Sequence, residues 1–480
     1  MHFFVSIFQV TFAVRYRSHR PSNRITNTTR TRKSQGEYLL ASIDMGDHGR
    51  TDAAAAPALV EEAAAAPPPK PRRRVVRRKR RARNSGPSPS DVPDSIAKNP
   101  ALLSAINATI PSDYEFEVCK TIHRINLAGA SHVALQLPEG LLMYACGLAD
   151  LIRTFSEPGC AASVSILGDV TYGACCVDDL SAKALGCDLL VHYGHSCLVP
   201  VTETAVPCLY VFVEIRIDVS HLVGCLEATC SLEGTAGIYV MGTVQFRSAV
   251  VEASKRLAAA GYVCEVPQAK PLSPGEVLGC TAPAGLAEGL EGSEGGGKEK
   301  VMLFVADGRF HLEAAMISNP TLRALRYDPY GKTLTDERYE TDKMKAIRRR
   351  AIKAASDPDV KVFGVVLGTL GRQGNPAILG QVRSLLRAHG RKSFVLLLSE
   401  IYPHKLDMMP KVDAWVQIAC PRLSVDWGHF FTKPMLSPFE LHVALGEAEL
   451  GKVYPMDFYR NGSGPWTNYH GDHRSRRLGQ

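Results

Sequence analysis

No apolar run in the 480-residue chain approaches the roughly 20 residues a membrane helix needs, so no span is expected. The chain has no C-x2-C pair, no C-x3-C-x2-C run and no H-E-x-x-H, which removes the local signatures of zinc sites and ordinary cluster sites. It also has no G-x-G-x-x-G fingerprint and no P-loop, which weighs against a transferase using a nucleotide-linked donor. A secretory leader pattern is missing too, and the thirteen cysteines are odd in number. They are expected to be thiols of a reducing compartment, and the chain is expected to be cytoplasmic.

Acidic residues are absent from 1–36, and the basic excess of the whole chain, +8, is local. Residues 1–95 hold 18 Lys and Arg against 8 Asp and Glu, leaving 38 against 40 for the remainder. The folded part is therefore close to neutral and offers no basic groove for nucleic acid. Residues 51–69 are rich in Ala and Pro, and 70–83 is a basic run. Such composition buries too little apolar surface to offset ordering entropy, so 1–95 is expected to be a disordered basic tail. Two functional readings stand beside this one: an organellar transit peptide over 1–36, and a nuclear or anionic-surface address in the basic run. In the solvated-tail reading, Met45 is an alternative start.

From about residue 96 short apolar runs alternate with helix-compatible segments. The runs are His132–Leu137, Ser163–Leu167, Leu189–Tyr193, Leu209–Ile215, Gly237–Met241, Val301–Ala306, Val362–Leu367, Phe394–Ser399 and Ala414–Ala419. They read as buried parallel strands, and Gly140–Phe155, Phe246–Ala260, Glu337–Ala355 and Pro376–Ala388 read as helices. The alternation predicts an α/β fold with parallel sheets and right-handed crossovers. Three units are expected, at 96–224, 225–335 and 336–480. A mobile Gly/Glu-rich insertion is expected at 285–300, and a flexible tail at the C-terminus.

Each unit carries one cysteine just after a strand or in a Gly/Pro-marked loop: Cys175, Cys280 and Cys420. Ligands of open parallel sheets bind beyond the carboxyl ends of the strands, so three such loops can converge. Three thiolates suit a soft metal or an iron–sulfur cluster and leave one position open for substrate. From spacing alone, three unremarkable loop cysteines remain the commoner explanation. Gly173 is expected to allow a sharp turn before Cys175, and Gly368, Gly371 and Gly374 to allow close backbone approach. His192, His195 and Cys197 form H-x-x-H-x-C, read either as a second metal or acid–base site or as loop-fixing side chains. Asp178 and Asp179 are read either as catalytic carboxylates or, with better physical support, as first-turn charges of the next helix.

Ten ordered blocks carry a resemblance. Among them are "LQLPEGLLMYAC" (135–146), "GDVTYGACCVDD" (168–179), "HYGHSCLVP" (192–200), "PLSPGEVLGCT" (271–281), "GTLGRQGNP" (368–376) and "ACPRLSVDWG" (419–428). Over about 96–445 the chain resembles the diphthamide synthase family, and within it the catalytic subunit of the eukaryotic enzyme.

The resemblance implies three related α/β domains around a central [4Fe–4S] cluster held by Cys175, Cys280 and Cys420, with Cys176 a neighbour. It implies transfer of a 3-amino-3-carboxypropyl group from S-adenosylmethionine, by a non-standard radical reaction, to a histidine of translation elongation factor 2. It further implies a paralogous second subunit in a heterodimer and a small iron-containing electron donor; no DNA and no membrane partner are expected. A non-catalytic scaffold subunit is the runner-up, and the complete cysteine triad favours catalysis. Arg372 and Arg422 are the expected partners of the carboxylate of S-adenosylmethionine, since a planar guanidinium matches a carboxylate.

Overall fold

The computed structural model describes residues 92–288 and 298–470, apart from 170, 461 and 469. All of them fall in one unit, Arg83–Gln480. The expected tail lies outside the described residues except for its last four, of which Asp94 and Ser95 open a helical turn, Asp94–Ala97.

Strand β1 (Tyr114–Glu115) precedes a first sheet built from β2 (His132–Gln136), β3 (Ser163–Leu167), β4 (Leu189–Tyr193) and β5 (Cys208–Val211). Its order is β3-β2-β4-β5 and every pairing is parallel. Strand β6 (Glu214–Ile215) pairs antiparallel with β1. The second sheet contains β7 (Thr235–Gly242), β8 (Cys264–Glu265), β9 (Glu299–Val305), β10 (Arg323–Asp328) and β11 (Thr333–Glu337), in the order β11-β10-β9-β7-β8. The third is built from β12 (Val362–Gly368), β13 (Lys392–Leu398), β14 (Ala414–Ile418) and β15 (Met435–Leu436), in the order β13-β12-β14-β15. Each sheet thus places its second strand outside its first and its third and fourth on the other side. The middle sheet adds the antiparallel β11, whose last residue, Glu337, is where the sequence reading had started the following helix; that helix begins at Thr341.

The strands read as continuous apolar runs because both faces are covered. In the first sheet Val133, Leu135 and Val191 pack on Leu148 and Ile152 of helix Ala145–Phe155, while Ala134 and Leu190 face Val177 and Ala182. Each fully buried Leu or Ile contributes about 1.5–3 kcal/mol. In the third sheet Gly364 is required: a Cβ there would lie 2.1 Å from the ring of Trp415.

Three expectations change. Edge strands β3 and β13 are half-exposed, because only one neighbour strand and a partial helix layer cover them. The run Leu209–Ile215 breaks into two strands at Val213, whose φ is +55°. The 285–300 segment is anchored at its ends, with Leu286 buried and Glu299 and Lys300 inside β9; residues 289–297 lie outside the described residues. Helix Pro376–Ala388 matches the sequence reading, with Pro376 in its first turn and Asn375 capping the N–H groups of Ala377 and Ile378. Among the described residues no helix is long and apolar enough to cross a membrane.

Candidate metal centre

The three cysteines leave different sheets from their carboxyl ends. Cys175 follows β3 and Cys280 follows β8, each the second strand of its sheet, whereas Cys420 directly follows β14, the third strand of its sheet. Cys175 and Cys280 pack in one apolar cluster with Ala174, Leu198 and Leu272. The Cys175 thiol is pushed well above its ordinary pKa by its hydrogen bond with Cys176, by burial and by the nearby Cys280 and Cys420. Burial, with Cys420 adding to it, raises Cys280, and burial raises Cys420. Buried thiols that raise one another's pKa are poor thiolates alone and good ones beside a cation, which removes their protons.

Among the described residues no three His, Cys, Asp or Glu side chains close around a single-ion site. Thiolates sharing one tetrahedral ion at about 2.3 Å would stand about 3.8 Å apart. A cluster binds each thiolate through a different iron and spaces them more widely. Three cysteines, one from each sheet, fit that group.

Gly173 does not make the expected turn. Its backbone is fully extended, and the turn is made by the 3-10 segment Ala174–Cys176. The glycine that geometry demands is Gly371, with φ +54° and a Cβ position only 2.6 Å from the Cys176 backbone. That approach lets the Arg372 N–H reach the Cys175 carbonyl at 2.8 Å and Gln373 Nε2 reach Cys176 Sγ at 3.3 Å. The third sheet's loop thereby grips the first sheet's cysteine turn.

Both expected carboxylate-binding arginines hold protein carboxylates. Arg372 makes a two-pronged pair with the buried Asp179, at 2.8 and 2.5 Å. Burial raises the Asp179 carboxyl, but Arg372 and the Ala205 N–H outweigh it and hold it below the ordinary range. Arg422 is 3% exposed. It contacts Asp426 at 2.8 Å, Glu313 at 2.6 Å and the Phe310 carbonyl at 2.9 Å, and lies 4.2 Å from the Phe310 ring centroid. Asp178 caps the next helix through the Ser181 N–H, as the sequence suggests.

His192 and His195 stack, with ring centroids 5.3 Å apart, while Cys197 is exposed. Burial drives His192 well below its ordinary pKa and His195 to about 4. His311, brought in from the second sheet's side, is likewise lowered by burial to about 4, with His195 and Arg422 contributing. Sequence reasoning missed His311, Gln373 and Gln136, and it named Asp179 as a first-turn acid without its pairing to Arg372. Gln136 had a readable signal, a polar residue at a buried strand position.

A family model of diphthamide synthesis proteins matches residues 137–455. The chain belongs to that family. It is 51% identical over 381 residues to 2-(3-amino-3-carboxypropyl)histidine synthase subunit 1 of Gallus gallus, covering 79% of this chain and 88% of that protein. The protein of the same name from Homo sapiens is 50% identical over 388 residues, covering 80% and 84%. The crystal structure of Dph2 from Pyrococcus horikoshii with a 4Fe-4S cluster is similar at 27% identity and a TM-score of 0.57, covering 73% of this chain and 95% of that one. This chain and that Dph2 structure share the mixed α/β fold with parallel sheets.

Proposed function

We propose that this chain is the catalytic subunit of the enzyme that transfers a 3-amino-3-carboxypropyl group from S-adenosylmethionine to a histidine of translation elongation factor 2, opening diphthamide biosynthesis. What supports the reading is that Cys175, Cys280 and Cys420, one from each sheet, lie within electrostatic reach of one another in a chain half identical to synthase subunits. These residues would hold a [4Fe–4S] cluster, which when bound supplies the electron for breaking the sulfonium carbon–sulfur bond. The chain's own contribution is position and dryness. Arg372 and Gln373 fix the Cys175–Cys176 turn, Arg422 fixes the helix after Cys420, and apolar neighbours exclude water.

Arg372 and Arg422, each already matched to acids, serve the cofactor by positioning these loops. The three sheets support three domains, with the first division placed before helix Val219–Thr229, whose Leu222 and Leu226 pack in the second sheet's core. A paralogous second subunit, a small iron-containing electron donor and elongation factor 2 complete the proposed cytoplasmic system.

The test is iron content after anaerobic purification with the second subunit. Cys175→Ser, Cys280→Ser and Cys420→Ser are each expected to lose most of the iron and the visible charge-transfer absorption, while Cys176→Ser keeps both. Full iron and activity in Cys280→Ser would sink the ligand assignment.

A further inference from the structure

The hydrogen bonds around His192 fix its tautomer. Gln136 Nε2 lies 2.8 Å from the Cys176 carbonyl, which can only accept, so that end of the amide is the NH2. Gln136 Oε1 takes the Asp178 N–H at 3.1 Å and stands 2.8 Å from His192 Nδ1. An amide oxygen cannot donate, so Nδ1 carries the ring hydrogen and Nε2 is a bare acceptor. Burial keeps the ring neutral. His192 is fully buried, and among the described residues nothing donates to Nε2. A buried acceptor without a partner costs about 1–3 kcal/mol and calls for an occupant.

The surroundings say which kind. His192 is the penultimate residue of β4, toward the carboxyl end from which the Cys175 turn also leaves its sheet, and is tied to that turn through Gln136. His195 Nδ1, beside it, is also without a partner. His311 is within electrostatic reach of His195 and Arg422, and Arg422 within that of Cys280 and Cys420. A neutral acceptor cannot recognise a carboxylate, and the two nearby guanidinium groups are matched by Asp179, Asp426 and Glu313. What fits is a compact donor on a small molecule seated at the cysteines.

We infer that His192 Nε2 accepts a hydrogen bond from the α-ammonium of the amino-acid end of S-adenosylmethionine. This rests on the functional reading above and deepens it.

Equilibrium binding to the anaerobic, cluster-loaded complex tests it, using S-adenosylmethionine and its analogue lacking the α-amino group. The wild-type complex is expected to prefer the amino ligand tenfold or more. His192→Phe, which keeps a ring to stack on His195, is expected to bind the deamino analogue unchanged and the amino ligand about tenfold more weakly. Should His192→Phe fail to give a cooperative melt, His192→Asn is read by the same ratio. An unchanged preference overturns the inference, as expected if an ordered water fills the place. Equal weakening of both ligands overturns it in favour of a loop-holding role. A loss confined to protein-substrate affinity overturns it in favour of an imidazole occupant. Equal wild-type affinity for both ligands sinks the inference alone, whereas a wild-type complex that binds neither sinks the functional reading with it.

Discussion

The first and third sheets are the same frame solved twice. Asp188 and Asp413 each stand just before the third strand of their sheet. The N–H of Asp188 bonds the His132 carbonyl and that of Asp413 the Val362 carbonyl, while each carboxylate accepts two backbone N–H groups at the start of the first strand. Counting from these aspartates, His192 and Gln417 occupy the same place near the strand's end. In the third sheet Gln417 clamps its own cysteine turn, donating to the Cys420 carbonyl at 2.9 Å and accepting the Ala419 N–H at 2.9 Å. In the first sheet the clamp has moved one strand over, to Gln136, because the cysteine leaves from β3 rather than from β4. The vacated position carries an imidazole whose outer nitrogen is left for something else. Similar backbones thus yield one self-sufficient cysteine turn and one with a spare acceptor.

The largest break in this likeness is a charge pair found only on the third side. Arg348 and Glu440 are both fully buried, with Nε and Nη2 2.6 and 2.8 Å from the carboxylate oxygens. Removing one partner strands the other in apolar surroundings, so Arg348→Met is expected to cost about 3–5 kcal/mol in denaturant unfolding. Arg372→Met strands Asp179 at a partly open site and is expected to cost less, on the order of 2 kcal/mol, measured the same way.

Acid should act next, on the sides of the first and second sheets. His195 and His311 have folded pKa values near 4 against an ordinary 6.5. Between those values the unfolded chain binds protons that the folded chain does not. Their stability contribution is therefore complete above pH 6.5 and falls as the pH drops toward 4. Each is expected to lose on the order of 2 kcal/mol by pH 5, read from denaturant midpoints at a series of pH values. A flat profile over this range would mean that the imidazoles are charged or exposed in the folded protein.

The sheets were legible in the sequence because strands covered on both faces must be apolar throughout, and nine such runs stand out. The strand ends were less so: Gly140–Phe155 reads as one helix, yet its first part, Glu139–Tyr144, is a 3-10 turn. The three cysteines could be picked out by their place after strands and by resemblance. Their supports could not. Arg372 looks like a ligand-binding arginine because a guanidinium fits any carboxylate, and only the fold reveals that Asp179, 193 residues away, is the one it holds. Gly173 looked necessary for the cysteine turn and is not, whereas Gly371 does allow the close backbone approach expected of it, and only the fold reveals that the backbone it meets is that of Cys176. Long-range pairing leaves no local pattern.

The two amide clamps can be compared directly. Gln136→Leu and Gln417→Leu each strip a buried cysteine-turn carbonyl of its donor, at a cost of about 1–3 kcal/mol. Iron content after anaerobic purification should fall in both. Gln136→Leu should fall further, because His192 Nδ1 loses its acceptor as well.

The smallest effect concerns the aspartates. Each accepts backbone N–H groups that hold its carboxyl below the ordinary range, His132 leading for Asp188 and Val362 for Asp413. Both carboxylates are close to solvent, so Asp188→Ala and Asp413→Ala should each cost only about 0.5–1 kcal/mol at pH 7. With a folded pKa below the unfolded one, that contribution is present above the ordinary carboxyl value and disappears as the pH falls through the folded value. The gap between either variant and wild type should therefore narrow as the pH falls below the ordinary carboxyl value. The middle sheet supplies the control. Glu299 makes the same main-chain bond, its N–H to the Gly234 carbonyl, but its carboxylate turns outward to Arg323 at 3.3 Å. Glu299→Ala is expected to change stability by less than about 0.5 kcal/mol, as an exposed pair does. An equal loss at all three positions would show that accepting backbone N–H groups gives the two aspartates no advantage over the outward-turned carboxylate.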